Sequence, residues 1–367
     1  MSDATVITTM EVRRDDWSQT RVVEETQGDL APEEVLLRID RQALTANNIS
    51  YAASGDALGY WRFFPAEEGW GRIPAMGWAD VVRSNHPEIN VGERVWGFFP
   101  FSTHLKILGG KVSAGNFKDL SPHREGLAPV YAQFDRASAN PIYEPAREDQ
   151  DSLLRGLFMT SWLVEDFLTV RGQFGASVCL ITSASSKTSI ALAHCVKQRG
   201  AMASVGLTSP RNVGFCEGLG CYDRVLTYDQ ISSLDTGEPA VMVDMAGSAQ
   251  VIGDVHRHYR DTLKHSCRIG ATHYEDMGPV EGLPGPEPEF FFAPSHLQSR
   301  SKELGSGEFM MQLATAYVGF RQFCDVWLQV ELSCGPTAIR ETYLKVLAGG
   351  SDPSSGQMIA MNGEPKS

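Results

Sequence analysis

The chain has 367 residues, of which 42% are hydrophobic and 21% are charged. These proportions are ordinary for a globular protein and argue against global disorder. There are 32 lysines and arginines against 45 aspartates and glutamates, so the formal net charge is −13. That charge argues against a surface for nucleic acid. A chain of this length forms one large domain or two medium ones.

The amino-terminal segment and the cysteines bear on cellular location. Residues 1–6 contain an early acid and no apolar run, unlike a secretory signal peptide. Elsewhere the sequence has no apolar stretch near the roughly 18 residues that a membrane span requires. The chain has 7 cysteines, all at or after position 179 and without paired short spacings. We therefore expect reduced thiols, a cytoplasmic location and no membrane partner.

The first 150 residues show the patterns of β-structure. Apolar and polar side chains alternate over residues 34–40, as in a half-buried strand. The segment 55–78 is rich in glycine and aromatic residues and is interpreted as a loop, with strands resuming at 80–83 and 94–99. The sequence therefore predicts a β-rich domain over residues 1–150.

From residue 151 onward, helical and strand-like patterns alternate. Such alternation is typical of a parallel sheet with helices on both faces, the doubly wound α/β class. A helix is predicted at 153–170. Residues 178–193 are interpreted as a buried strand, a tight polar turn and a helix, and residues 203–212 as a second strand and a loop. A further strand is predicted at 240–246, a helix near 249–265, a strand near 268–272, and helices at 307–328 and 336–348.

The turn after the strand that begins at Val178 has the position of a dinucleotide-binding turn but contains no glycine. Hydroxyls and an ammonium group can hold phosphate at a helix amino terminus, where free amides and the helix dipole favour an anion. An alternative is a serine-rich cap that opens an ordinary helix. A P-loop is rejected because Ile181 and Ser186 occupy its two glycine positions. The candidate phosphate-binding residues are Ser183, Ser185, Ser186, Lys187 and Thr188.

The loop after the second strand selects between cofactors. NAD-binding units place an acidic residue here, because its carboxylate binds the ribose 2′-hydroxyl. This chain has Thr208, Ser209 and Arg211 instead, which suit a 2′-phosphate. The prediction is therefore NADPH, with Arg211 on the 2′-phosphate. The alternative for Arg211 is a solvated surface side chain.

Five short motifs carry a resemblance to known proteins: Glu34-Val-Leu-Leu-Arg-Ile39, Ala46-Asn-Asn48, Ile73-Pro-Ala-Met-Gly-Trp78, Gly92-Glu-Arg-Val95 and Phe158-Met-Thr-Ser-Trp162. They resemble motifs of the medium-chain dehydrogenase/reductase superfamily, in particular of its zinc-free quinone-reductase and enoyl-reductase branches, and of a poorly characterised DUF2855-like subgroup. The resemblance implies a Rossmann-type domain at 151–325, a β-rich GroES-like substrate domain at 1–150, and a return to that domain at 326–367.

The zinc branch of that superfamily is not matched. No cysteine precedes Cys179, and Met76-Gly-Trp78 stands where the zinc enzymes have Gly-His-Glu. Zinc requires three or four converging nitrogen, sulfur or carboxylate ligands. We therefore expect no metal at the site.

Metal-independent hydride transfer suits an already polarised C=C bond, such as that of an enone, a quinone or an enoyl thioester. The predicted function is NADPH-dependent reduction of such an acceptor. Tyr51, Tyr60 and Asn48 are candidate donors to the acceptor oxygen. The alternatives are aromatic packing for the tyrosines and a local turn for Asn47-Asn48.

The resemblance adds two further cofactor candidates. Thr160 lies where relatives place a helix-opening threonine, although it could equally support a helix turn. Tyr228 lies where some relatives contact the adenosine phosphate. The relatives also suggest a homodimer that acts on a small apolar or thioester acceptor. A second hypothesis is an NADPH-binding protein that senses redox state without turnover.

Overall fold

The computed structural model describes residues 4–245, 247–269 and 282–363. Two compact units divide the chain. The terminal unit comprises Met1–Leu153 together with Gln329–Ser367, and the central unit comprises Leu154–Leu328. Both ends of the chain therefore contribute to the same unit.

The strands of the described residues, in chain order, are β1 (Thr5–Arg13), β2 (Thr20–Gln27), β3 (Glu34–Leu44), β4 (Trp70–Gly71), β5 (Pro74–Ser84), β6 (Arg94–Pro100), β7 (His104–Gly110), β8 (Asn116–Asp119), β9 (Gln133–Arg136), β10 (Val178–Ile181), β11 (Ala203–Thr208), β12 (Arg224–Thr227), β13 (Ala240–Asp244), β14 (Leu263–Arg268), β15 (Glu289–Phe290), β16 (Gln329–Cys334) and β17 (Ser355–Ala360). The α-helices are α1 (Ala46–Ala53), α2 (Glu148–Val170), α3 (Lys187–Arg199), α4 (Val213–Gly218), α5 (Ala249–Tyr259), α6 (Ala293–Leu304), α7 (Ser306–Cys324) and α8 (Gly335–Leu347).

The terminal unit is built on two sheets. The larger has the strand order β16-β17-β3-β5-β6-β9-β8-β7, and β7 also pairs with β3. The six strands β3, β5, β6, β9, β8 and β7, in this order, therefore close into a barrel. Alternate residues of β3, namely Val35, Leu37 and Ile39, belong to one buried cluster with Phe99 and Phe134. The alternation seen at 34–40 thus defines the apolar face of this barrel.

The segment interpreted as a loop contains regular structure. A 3₁₀ turn forms at Tyr60–Arg62, and β5 already begins at Pro74. A Cβ atom on Gly55 or Gly71 would lie 2.1 or 2.4 Å from the ring of buried Trp61. Glycine is therefore needed where the chain passes the indole, and the aromatic residue orders the segment. The strands predicted at 80–83 and 94–99 are confirmed within β5 and β6.

The central unit is a six-stranded sheet of order β12-β11-β10-β13-β14-β15, in which every neighbouring pair is parallel. This is the 3-2-1-4-5-6 order of the doubly wound dinucleotide fold. All residues of β10 and β13 are buried, as continuous apolar runs of a parallel sheet should be. The predicted mixed α/β architecture with a parallel sheet is confirmed.

Two differences between the central unit and the prediction are informative. In the first, the helix predicted near 249–265 ends at Tyr259, and residues 263–265 belong to β14. The structure ends β14 at Arg268, where the sequence indicated that the strand begins, and the predicted residues 270–272 lie outside the described residues. The apolar pattern of β14 is hidden because His265 is buried by stacking on Phe174, with ring centroids 4.2 Å apart.

Helix α6 is the second difference, since no helix was predicted there. Asp166 of α2 holds it through His296 Nε2 at 2.7 Å and Arg300 Nε at 2.8 Å. Burial alone would raise the pKa of Asp166. The hydrogen bonds from His296 and Arg300 outweigh this effect, so the pKa of Asp166 lies below its usual value. The helix therefore depends on a polar tertiary contact rather than on an apolar stripe. Among the described residues, no helix has the length and apolarity to cross a membrane.

Candidate functional site

The carboxyl ends of β10 to β13 meet at one edge of the parallel sheet, because the strands all run in the same direction. Strand order reverses between β10 and β13, and ligands of open α/β sheets bind at such a reversal. The residues that follow these strands are therefore the candidate cofactor site. They are Thr182 to Ser186 after β10, Ser209 to Asn212 after β11, Tyr228 after β12 and Met245 to Ser248, apart from Ala246, after β13.

The turn between β10 and α3 packs closely against β11. The backbone N–H of Ala184 donates to the carbonyl of Leu207 at 3.0 Å. Tyr222 donates its hydroxyl to the carbonyl of Ala184 at 2.7 Å. A Cβ atom on Gly206 would lie 2.8 Å from the Cβ of Ala184. The glycine that allows close approach therefore lies on the second strand rather than in the turn.

Serine hydroxyls of the turn bind the first turn of α3. Ser186 is the N-cap and accepts from the N–H of Ser189 at 3.2 Å, and Ser189 donates to the carbonyl of Thr182 at 2.7 Å. The serine-rich cap considered from the sequence is thus present. It does not preclude anion binding, because an α-helix leaves its other first-turn amides without an intrahelical partner. Lys187 and Thr188 are the first two residues of that helix and are half-buried.

Lys187 faces the end of α7. Burial raises the pKa of Cys324, the last residue of α7, and the charge of Lys187 partly opposes this rise. The ammonium group of Lys187 therefore lies in the neighbourhood of that thiol, within the central unit.

Thr160 lies within α2, where its hydroxyl donates to the carbonyl of Gly156 at 3.4 Å. This contact supports a helix turn, the alternative noted for it. The neighbouring Ser161 instead donates to the carbonyl of Thr188 at 2.8 Å and so joins α2 to the first turn of α3. The sequence analysis did not predict this role of Ser161. Its position next to Thr160 was the one available signal.

The loop after β11 divides into a buried and an exposed part. The side chain of Thr208 is only 1% exposed. Burial raises the pKa of Cys216 to about 11, and a hydrogen bond with Thr208 opposes the rise. The hydroxyl of Thr208 therefore has a partner inside the central unit, and its assignment to a phosphate stays a prediction. Arg211 is exposed and forms no ion pair with any described residue. Ser209 is half-buried.

Two contacts join the neighbouring loops to the turn. Asn212 donates its side-chain amide to Ser185 Oγ at 2.9 Å. The backbone N–H of Ser183 donates to the hydroxyl of Tyr228 at 3.2 Å. The structure therefore brings the predicted residues Ser183, Ser185 and Tyr228 together, and Arg211 lies on the same loop as Asn212.

The strand-order reversal is bridged by a buried pair that sequence reasoning missed. Thr182 donates its hydroxyl to Asp244 Oδ1 at 2.7 Å, and the N–H of Gly247 donates to Asp244 Oδ2 at 2.8 Å. Asp244 has no exposed surface. The sequence signal that could have predicted this buried pair was an aspartate at the end of the otherwise apolar strand β13.

The terminal unit contains a cluster of three tyrosines, Tyr51, Tyr60 and Tyr131. The rings of Tyr51 and Tyr60 lie 4.6 Å apart, and the hydroxyls of Tyr60 and Tyr131 are 3.5 Å apart. Phe98 stacks on Tyr131 at 4.5 Å and forms part of the cluster's apolar wall. Burial raises the pKa of Tyr51 well above its usual value, and the other two tyrosines raise it further. Tyr131 was not predicted, since it lies in a turn-rich segment far along the chain.

Asn48 does not belong to this cluster, and its assignment as a donor stays a prediction. Its side chain is 2% exposed. It accepts from the backbone N–H of Thr45 at 2.6 Å and donates to the carbonyl of Pro74 at 2.7 Å. Asn48 therefore caps α1 and ties that helix to β5.

Potential metal ligands are scattered over the described ranges. Within residues 4–245, 247–269 and 282–363, no group of three or more histidines, cysteines, aspartates or glutamates could hold a metal ion.

Comparison with known proteins assigns the chain to a family. A family model described as "Protein of unknown function (DUF2855)" matches residues 42–352. The chain belongs to the DUF2855 family. No curated protein matches it significantly.

Solved structures share the fold of this DUF2855 protein at low sequence identity. CurA from Vibrio vulnificus in complex with NADPH is 13% identical, with a TM-score of 0.61 and coverage of 97% of this chain and 99% of that one. A mutant enoyl thioester reductase from Candida tropicalis is 12% identical, with a TM-score of 0.58 and coverage of 97% and 100%. The Etr1p complex with NADP and crotonyl-CoA is 13% identical, with a TM-score of 0.57 and coverage of 97% and 100%.

These structures establish the fold of the DUF2855 protein. It is the fold of the enoyl thioester reductase and of CurA, as the resemblance of the sequence motifs implied. The glycine-free turn and the Thr182–Asp244 pair are features of this chain's own site.

Proposed function

We propose that this protein binds NADPH through its central unit and reduces a polarised C=C bond without a metal. The observation that carries the proposal is Arg211, an exposed guanidinium with no ion pair among the described residues, in the loop after β11. No carboxylate lies between Ser204 and Cys216 to bind a ribose 2′-hydroxyl. A guanidinium in this position suits a phosphate, because its planar fork can bind two phosphate oxygens at once.

The remaining groups at the sheet edge fit the rest of a dinucleotide. Gly206 lets the turn after β10 lie against β11, which is the close approach that such a turn requires. The first-turn amides of α3 and the half-buried Lys187 favour a pyrophosphate. Ser209 and Tyr228 have hydroxyls on the two loops that flank this turn. When bound, NADPH would supply a hydride.

The tyrosine cluster is proposed to bind the oxygen of the acceptor. A tyrosine hydroxyl is protonated at neutral pH even at its ordinary pKa, and burial raises the pKa of Tyr51 further, so its hydroxyl can donate a hydrogen bond. A donor at the acceptor oxygen stabilises the negative charge that develops there as the double bond is reduced. The aromatic wall, including Phe63 and Phe98, suits an apolar acceptor such as an enone, a quinone or an enoyl thioester.

Calorimetry and a turnover assay test the proposal together. Purified protein should bind NADPH more tightly than NADH. It should also oxidise NADPH only when an enone, a quinone or an enoyl thioester is present. Tight binding of NADPH without turnover on any of these acceptors would favour the redox-sensing function. The absence of binding to either dinucleotide would contradict both.

A further inference from the structure

Arg268 is the last residue of β14 and lies at the same sheet edge as the proposed dinucleotide site. In the parallel register it is the direct neighbour of Asp244 on β13. Ser266, two residues earlier, contacts His256 Nε2 of α5 at 2.9 Å. Alternate residues of a strand share a face, so Arg268 is on the α5 side of the sheet.

The guanidinium of Arg268 has no partner within the described part of the chain. Its Nε is buried and makes no hydrogen bond. Asp244, the neighbouring carboxylate, already accepts from Thr182 through Oδ1 and from Gly247 through Oδ2. A buried donor of a cation, such as this Nε, is unfavourable in a folded protein when it has no hydrogen-bond partner, unless a ligand compensates for it.

We infer that Arg268 binds the phosphate on the nicotinamide side of the dinucleotide pyrophosphate. This inference rests on the proposed function. In the sheet, β13 separates β14 from β10, so β14 is one strand away from the β10–β13 reversal. Neighbouring strands are about 4.8 Å apart, which places this reversal within reach of an arginine side chain on β14. The pyrophosphate of a dinucleotide crosses that reversal. Arg268 approaches it from the side opposite to Arg211, whose loop follows β11.

The unusual turn explains why an additional cation is useful. Tyr228 occupies the N–H of Ser183, and Ser186 binds within the first turn of α3. Fewer backbone and side-chain donors are thus left for the phosphates than in a glycine-rich turn. A bidentate guanidinium on β14 supplies two strong donors without any change in the turn.

Calorimetry with three ligands tests this inference on the full-length chain. Arg268→Gln and Arg268→Ala should weaken NADPH and NADH equally, each by roughly 10- to 100-fold, as expected for the loss of a charge-assisted hydrogen bond. Adenosine 2′,5′-bisphosphate lacks the nicotinamide-side phosphate, so its affinity should change less than about twofold. Arg268→Lys keeps the charge but not the fork and should be intermediate.

Lys264→Ala is the matched control, because it removes one positive charge from the opposite end of the same strand. It should leave all three affinities unchanged. Thermal unfolding without ligand should show that each Arg268 variant is folded.

Several outcomes would overturn the inference. They are unchanged NADPH affinity in the Arg268 variants, an equal loss for adenosine 2′,5′-bisphosphate, and an effect confined to the KM of the acceptor. If the wild-type protein binds neither dinucleotide, the proposed function fails as well, which separates that failure from one restricted to Arg268.

Discussion

Ser183 has the left-handed backbone that glycine usually supplies in a dinucleotide-binding turn, with φ of 48°. That conformation costs a residue with a Cβ atom roughly 1–2 kcal/mol. The contact between its N–H and Tyr228, together with the packing of Ala184 on β11, holds the turn in place. A serine can therefore replace the glycine because tertiary contacts determine the backbone. If the proposed function is right, we expect cations and helix amides to supply most of the contacts with the cofactor.

Arg211 carries the predicted choice between the two cofactors. Arg211→Ala should weaken NADPH by roughly 10- to 100-fold, because a charge-assisted phosphate contact is lost. NADH lacks the 2′-phosphate, so its affinity should change less than about twofold. Calorimetric titration of both dinucleotides measures the difference. Arg257→Ala, which removes an exposed arginine of α5, is the control. An equal loss of affinity for NADPH and NADH would show that Arg211 does not bind the 2′-phosphate.

The three tyrosines should differ from other tyrosines in their effect on turnover. If one of them donates to the acceptor, its change to phenylalanine should lower kcat by roughly 10- to 100-fold and leave NADPH affinity unchanged. Tyr51→Phe, Tyr60→Phe and Tyr131→Phe are measured separately under saturating NADPH. Tyr143→Phe is the control, since that hydroxyl donates to Glu148 at 2.8 Å. Wild-type kcat in all three variants would exclude the cluster from catalysis.

The sequence indicated residue types better than it indicated their partners. Arg211 could be selected because a cation replaces an expected carboxylate within a few positions of a strand. Thr208 was selected with it as a hydroxyl in the same loop, and Asn48 was selected as a possible donor to the acceptor. Both side chains are buried and have partners inside their own unit. Tyr131 and Arg268 reach their sites only through tertiary folding. Local sequence therefore could not identify them.

At the scale of elements, continuous apolar runs were the most reliable signal. The runs at β10 and β13 are buried along their whole length, so their sequence alone predicts strands of a parallel sheet. The start of β14 was misplaced because Lys264 and His265 interrupt its apolar pattern. Helix α6 was missed because its contacts with α2 are ionic. When polar side chains have tertiary partners, an element need not show a regular apolar pattern, and the sequence pattern then fails to predict it.

Gly206 links β11 to the turn after β10, so its substitution should disturb both. In Gly206→Ala the new Cβ would lie 2.8 Å from the Cβ of Ala184 and 2.9 Å from the Tyr222 ring. We expect a loss of about 1–3 kcal/mol in the free energy of unfolding, because neither neighbour can move away freely. Affinity for NADPH and NADH should fall together, since the turn must shift.

Urea denaturation and calorimetry measure these two effects. Gly214→Ala in α4 is the matched control, because its new Cβ would meet no atom within 4 Å. That variant should have wild-type stability or slightly greater stability, as alanine favours a helix. Wild-type stability in Gly206→Ala would show that the turn does not depend on this close contact.

At the scale of the whole molecule, the terminal unit takes strands from both ends of the chain. β17 lies between β16 and β3, with Gln357 opposite Leu44 and Met358 opposite Ala43. Such non-local pairing leaves no local trace in the sequence around β3. The pairing became predictable only through the resemblance to a superfamily whose chain returns to its first domain.

Deletion of residues 329–367 should therefore unfold the terminal unit while the central unit persists. The deletion uncovers the edge of β3 and removes the buried side chains of Ile339, Tyr343 and Ile359 from one apolar cluster. An exposed strand edge beside an opened core favours aggregation and local unfolding. The central unit is formed by one continuous segment, Leu154–Leu328, and should retain NADPH binding. Hydrogen exchange of β3 and calorimetry with NADPH measure the two effects, and co-expression of the missing segment should restore protection of β3. Full protection of β3 in the truncated chain would show that the terminal unit does not need its carboxyl-terminal strands.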